Sequence, residues 1–145
     1  MQNKQTNKQA GFTLIEIIAV LIILGILAAV ATPKFMSMQR ESRIAAVKSL
    51  KASMLSAAVM CHAKGSMTNA NPLTPALVPD LSGNVQLQNG YPNNAESLNN
   101  AMSEEGFTVT GQVFHLDGRP TCGVTYGPAA DPGKMPTFTE DHAGC

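Results

Sequence analysis

The spacing of apolar positions changes three times along the chain. Residues 1–11 are polar, rich in Gln and Asn and without period, as in a disordered leader. Residues 12–31 are twenty positions, almost all apolar, and about 20 such residues carry a helix across a hydrocarbon core. From Lys34 onward the pattern becomes amphipathic. Ile44, Val47, Leu50, Met54, Ala58 and Cys61 recur at steps of three and four, with Leu55 at the edge of the stripe. Lys48, Ser49, Ser53 and Ser56 lie largely off it, so one face of a helix is apolar. Lys64 followed by Gly65 reads as a stop, a cation in the last turn and glycine beyond it. The spacing predicts one helix over residues 12–64, roughly 80 Å long at 1.5 Å per residue. Gly25 and Pro33 weaken it, through backbone entropy and a missing donor, and predict a mild kink. A domain this small cannot bury such a helix, so its first half is meant for lipid or for other copies.

After Gly65 the pattern is short and broken. Residues 65–83 hold Pro72, Pro75 and Pro79 and read as a loop. Residues 84–88 alternate like a strand. Asn89-Gly90-Tyr91-Pro92 is turn chemistry. Leu98, Ala101 and Met102 sit at helical spacing within residues 94–103. Residues 107–109, 112–116 and 121–126 read as strands, with Asp117-Gly118 as a two-residue hairpin signal. Residues 135–139 offer a further edge strand. The expected fold class is α+β, a long N-terminal helix packed on a small antiparallel β-sheet. Ile44, Val47, Leu50 and Met54 supply the helix side of the core. Val85, Leu87, Val109, Val113, Leu116 and Val124 supply the sheet side.

Length and charge sharpen this organisation. The chain has 145 residues, one domain by length, and roughly 110 remain after leader and span, enough for one modest core. Four segments follow: a leader over 1–11, a membrane-spanning helix over 12–33, its amphipathic second half over 34–64 and a globular head over 65–145. Formal net charge is zero, but residues 34–64 carry six Lys or Arg and one acid, and residues 65–145 carry two and eight. Most of these charges read as solvated surface; a head packing on a neighbour's basic shaft is the other reading. The span lacks a small-residue cleavage site after it, unlike a secretory signal peptide. Lys4 and Lys8 on one side nearly balance Lys34, Arg40 and Arg43 on the other, so charge does not orient it.

One ionisable group, Glu16, lies inside the apolar run. A carboxylate in lipid costs several kcal/mol or more unless compensated, or else stays wet near the membrane surface. Gly11-Phe12-Thr13-Leu14-Ile15-Glu16 resembles the processing motif of type IV prepilins and pseudopilins. The match comprises a short leader bearing Lys4 and Lys8, Gly before the cut, an aromatic after it, and Glu fifth in the cut chain. The resemblance implies cleavage between Gly11 and Phe12 by a prepilin peptidase and N-methylation of Phe12. It also implies that Glu16 meets the Phe12 ammonium of a neighbouring subunit. A buried carboxylate against an ammonium is tolerable when geometry is good, which favours one stagger between helices. The cytoplasmic placement of the leader comes from the same resemblance, as does an α/β-roll form for the head.

Cys61, Cys122 and Cys145 are the three cysteines, in a chain whose head is expected outside the cytoplasm, where disulfides persist. A Cys122–Cys145 bridge would pin a tail with no sheet of its own, worth roughly 3 kcal/mol, and the C-terminal disulfide region of type IV pilins looks like this pair. Cys61, on the apolar stripe, reads as a small buried hydrophobe; its pairing with Cys122 or Cys145 is the alternative. His62, His115 and His142 fit no common zinc spacing. Asp131, Glu140 and Asp141 raise calcium, but no EF-hand alternation accompanies them. No cofactor, metal site or catalytic constellation is expected, and the protein is not read as an enzyme.

Three functional readings follow. The first is a type IVa pilus subunit, polymerising into a surface fibre for adhesion. Ala31-Thr32-Pro33-Lys34-Phe35, Leu50-Lys51-Ala52-Ser53, Gly90-Tyr91-Pro92 and Cys122-Gly-Val-Thr-Tyr126 look like mannose-sensitive haemagglutinin-type pilins. Its expected partners are its own copies, prepilin peptidase, the inner-membrane assembly machinery and, before assembly, membrane lipid. Its expected location is the inner membrane, then the extracellular pilus. The second is a pseudopilin of a type II secretion system, and the third a plain single-span protein that never polymerises. The acidic head offers no basic, aromatic surface for nucleic acid.

Overall fold

The computed structural model describes residues 12–67, 76–78, 85–102 and 105–145. It divides into two compact units, Met1–Gln39 and Arg40–Cys145. One helix, α1 (Leu14–Met67), contributes to both. Within the first unit its residues from Leu14 are exposed on every side, and this stretch is long and apolar enough to cross a membrane. The helix continues through Gly25 and Pro33, and the Thr32 hydroxyl donates to the Ala28 carbonyl at 2.8 Å in the turn where proline has no N–H.

In the second unit α1 buries Val47, Leu50, Met54, Ala57, Ala58, Cys61 and Gly65, steps that keep one face inward. Ile44 packs against the cluster partly buried. The helix does not stop at Lys64-Gly65. Gly65 lies inside it and buried, and a Cβ there would stand 2.5 Å from Leu87 Cδ1. The glycine thus answers to close packing against a strand rather than to termination, and a local stop signal cannot distinguish the two.

Three strands form one sheet, in the order β1-β2-β3: β1 (Ala76–Val78), β2 (Val85–Gln88) and β3 (Tyr91–Pro92). β1 falls in the stretch read from proline content as loop; its three residues pair with β2 from Ala76↔Leu87 to Val78↔Val85. The rest of that loop lies outside the described residues. β2 buries Val85 and Leu87 and exposes Gln86 and Gln88. Asn89 and Gly90 both take positive φ, 55° and 85°, as a type I′ hairpin turn requires, and Tyr91-Pro92 returns as strand rather than turn.

The short α2 (Ala95–Asn100) starts at Asn94, whose side chain accepts the Ser97 N–H at 2.7 Å, an N-cap by an Asx side chain. A four-stranded antiparallel sheet follows in chain order: β4 (Phe107–Thr110), β5 (Val113–Leu116), β6 (Gly123–Gly127) and β7 (Thr137–Asp141). Its tight hairpin joins β4 to β5 through Gly111 and Gln112, with Thr110 opposite Val113 and Gly111 at φ 61°. Asp117-Gly118 is not a two-residue hairpin. The Leu116 N–H donates to the Cys122 carbonyl, so the connection spans residues 117–121 and includes Pro120. Asp117 instead accepts from the Thr108 hydroxyl across the sheet.

The main core gathers Val47, Leu50, Met54, Leu98, Phe114, Val124 and Tyr126; Cys61, Val85 and Leu87 form a second cluster. β5 places Phe114 inward with Leu116 packed partly buried against the same core, as expected, and leaves Val113 half-buried on the other face, so the expectation of Val113 as a core residue was one position out. In a strand that error exchanges the two faces.

Candidate functional site

Two regions carry the residues singled out for function. The first is the start of α1. Gly11 lies outside the described residues, and Phe12 is 87% exposed. Thr13 stands just before the helix, and its N–H and hydroxyl both donate to Glu16 Oε2 at 2.7 Å. The Glu16 N–H points back at the Thr13 hydroxyl at 3.4 Å. This reciprocal Thr-x-x-Glu pair is a capping box, which satisfies donors that a helix start leaves open. Glu16 is therefore not an isolated charge, as its apolar surroundings suggested. Both Thr13 bonds fall on one oxygen, and Oε1 receives none from the described residues. The Thr13-to-Glu16 spacing is the sequence signal for this cap.

The second region ties the chain's last residues to the rest of the head. Cys122 and Cys145 form a disulfide, with Cα atoms 4.9 Å apart, and both are buried. The Gly144 N–H donates to the Thr121 carbonyl at 2.8 Å, Arg119 Nη1 to the Gly144 carbonyl at 3.0 Å, and Arg43 Nε to Cys145 O at 2.7 Å. On β7, Glu140 meets Lys51 Nζ at 2.9 Å, and His142 Nε2 lies 3.0 Å from its other oxygen. The hydrogen bond from Lys51, reinforced by the nearby charges of Lys51, His142 and Lys48, holds the Glu140 carboxyl below its ordinary 4.5.

A carboxylate depressed on folding stabilises the fold above its unfolded pKa, and that contribution disappears as pH falls through the folded value. Acidification from about pH 5 downward should therefore cost the wild type more stability than Lys51→Met. Urea midpoints across that range measure it; parallel curves for the two proteins would remove Glu140 from the account.

Cys61 is free and fully buried. Burial pushes its thiol up to about 11, which keeps it protonated and inert at neutral pH. The three histidines are separate. His62 stacks on Tyr91 with ring centroids 4.5 Å apart and meets the Gly90 carbonyl at 2.9 Å. His115 Nε2 faces the Thr110 hydroxyl at 3.0 Å, and His142 stays beside Glu140. Among the described residues no three His, Cys, Asp or Glu side chains come together to hold a metal ion. Tyr126, buried, donates its hydroxyl to the Pro92 carbonyl at 2.7 Å, a structural bond joining β6 to β3.

Residues 6–32 match the family described as "Prokaryotic N-terminal methylation motif". The N-terminal segment of the chain is thus similar to that of type IV prepilin-like proteins. The chain is also 48% identical over 44 residues to type II secretion system core protein G of Pseudomonas aeruginosa. That match covers 30% of this chain and 31% of the relative, so the chain matches less than a third of that relative's length. No solved structure matches the chain. Behind that segment the chain has the α+β order of one long N-terminal helix followed by small antiparallel sheets.

Proposed function

We propose that this protein is a structural subunit, not an enzyme, that polymerises through its N-terminal helix into a type IV pilus-class fibre used for attachment. The observation that carries the reading is the apolar stretch at the start of α1. Every residue of it is exposed in the single chain, while the core is built elsewhere, so it needs lipid or other copies to cover it. In this reading residues 1–11 are removed by prepilin peptidase between Gly11 and Phe12, and Phe12 is N-methylated. Residues 12–33 hold the subunit in the inner membrane until the assembly machinery draws it into the fibre. Residues 34–64 then form the shaft and 65–145 the outward head, its tail closed by Cys122–Cys145.

Glu16 is the assembly residue. Its capping box occupies Oε2, and in this reading Oε1 accepts the Phe12 ammonium of a neighbour. Within the apolar bundle a misplaced neighbour leaves both charges unpaired, which is costly. Glu16→Gln keeps the size and the Thr13 contact but loses the charge. It should leave leader removal intact and reduce sheared filaments at least about tenfold, the direction expected for an uncompensated buried ammonium. Intact mass reports leader loss and methylation, and electron microscopy of sheared fractions reports filaments. A chain that retains residues 1–11, or a Glu16→Gln strain with wild-type filaments, defeats the reading.

A second reading is favoured by the similarity to type II secretion system core protein G. It makes the chain a pseudopilin in a short periplasmic fibre. Deleting the gene separates them: loss of surface fibres and attachment with intact secretion supports the pilus, and loss of secretion without surface fibres supports the pseudopilus.

A further inference from the structure

We infer that a polar cleft between β2 and α2 on the head binds a neutral sugar through its hydroxyl groups. The inference gives the attachment reading a ligand class, and rests on that reading only for the number of copies a fibre presents. The cleft has a volume of about 320 Å³ and is lined by Gln86, Asn94, Glu96, Ser97 and Asn100. Small-ligand sites run from about 300 to 1,000 Å³, so this one has room for one or two sugar rings. Its floor is held by a closed set of bonds. The Ser97 hydroxyl donates to Asn93 Oδ1 at 2.9 Å and accepts the Gln86 N–H at 3.3 Å. Asn93 Nδ2 donates to Gln86 Oε1 at 3.0 Å. Ala95 and Leu98, both fully buried, anchor α2 in the main core.

Three groups are left over for a ligand. The Asn94 oxygen accepts the Ser97 N–H, while its Nδ2 donates no bond among the described residues. Gln86 Nε2 and the Glu96 carboxylate are likewise unused there. Among the described residues no aliphatic or aromatic side chain lines the cleft, so it offers nothing to an apolar ligand. An anion is opposed by the Glu96 charge, and the first-turn N–H groups that could attract one are already taken. Ala95 donates to Gln112 Oε1 at 2.9 Å and Leu98 to the Asn94 carbonyl at 3.1 Å. One carboxylate falls well short of the oxygen shell a calcium ion takes. What fits is a neutral molecule that donates and accepts at adjacent positions. Neighbouring sugar hydroxyls do so, each with one donor and two acceptor sites. Single bonds of this kind contribute modestly in water, so one site holds its sugar weakly, and repetition along a fibre raises the avidity.

The test titrates methyl β-galactoside and methyl α-glucoside, separately, into the nitrogen-15-labelled full chain in a detergent without a sugar headgroup. With at least one glycoside, the side-chain amide signals of Gln86 and Asn94 should shift and saturate in the millimolar range. Glucuronate and calcium chloride, at the same concentrations, should leave them in place. Glu96→Ala changes an exposed side chain. It should keep the wild-type urea midpoint and raise the half-saturation concentration at least about tenfold, the size expected for a lost bond to a charged group. Gln86→Ala, also exposed, should raise it several-fold. The inference is overturned if neither glycoside gives a saturable shift, if the shifts lie elsewhere on the chain, or if both variants bind as the wild type does. Equal shifts with glucuronate or calcium overturn it too, by making the cleft an ion site. The solubilised chain answers these questions whether or not fibres form. Failure of the filament reading appears separately, as a retained leader or as no filaments from the unaltered strain.

Discussion

Cys145→Ala lowers the free energy of unfolding of the head by about 3 kcal/mol, the chain-entropy value for a loop of this size, with Cys122 and Cys145 separated by 23 positions. Cys122→Ala should match it, and the double variant should lose little more, because both single changes remove one bond. The bridge has no substitute. β7 pairs with β6 from Gly123↔Asp141 to Gly127↔Thr137, but beyond Asp141 the tail depends on single contacts to Thr121, Arg119 and Arg43. Cys61→Ala, which removes only a buried sulfur, should cost on the order of 1 kcal/mol. Urea unfolding of detergent-solubilised full chain, followed by tyrosine fluorescence, measures all four. Equal losses for Cys61→Ala and Cys145→Ala would mean that Cys61 takes part in the bridge.

Phe114→Ala should cost about 3–5 kcal/mol, the range for a buried aromatic whose cavity cannot collapse. Phe114 is 1% exposed on one of the two inner strands of the four-stranded sheet, opposite Val109 on one side and Val124 on the other. Neighbours anchored by two ladders have little freedom to move into the space. Val113→Ala, one position away and half-buried, should cost about 1 kcal/mol or less. Comparable losses at the two positions would contradict the strand face seen here.

These contrasts mark how far the chain could be read in one dimension. Val47, Leu50, Met54, Ala58 and Cys61 were legible as the buried stripe because a long helix repeats its signal over many turns. Val85 and Leu87 were legible because β2 alternates cleanly against polar neighbours. β5 was not, since Val113, Phe114 and Leu116 are all apolar and either face could have been inward. The hairpin was misplaced for a related reason. Asp117-Gly118 and Gly111-Gln112 are both plausible turns, and the pairing of Thr110 with Val113, a contact of strands, is what selects the second. At the candidate site, Glu16 stood out as the single charge in residues 12–31. Its bond to Thr13 has a local signal too, the Thr-x-x-Glu capping spacing. Leu55, at the edge of the stripe by its spacing, is 42% exposed, because the head reaches only the centre of that face.

The amino-acid sequence by itself determined that this chain has a membrane-length apolar helix, an N-terminal methylation motif at its start, and small antiparallel strands behind it. Those features are local or periodic, so each segment of chain carries its own signal. The tertiary structure alone decided that Gly65 is a packing position, that Phe114 faces inward, that Cys61 stays out of the bridge, and that Leu55 and Val59 remain uncovered. Each of these depends on which distant residue arrives at that place, and the position of a distant residue is set by packing rather than by the spacing of its neighbours.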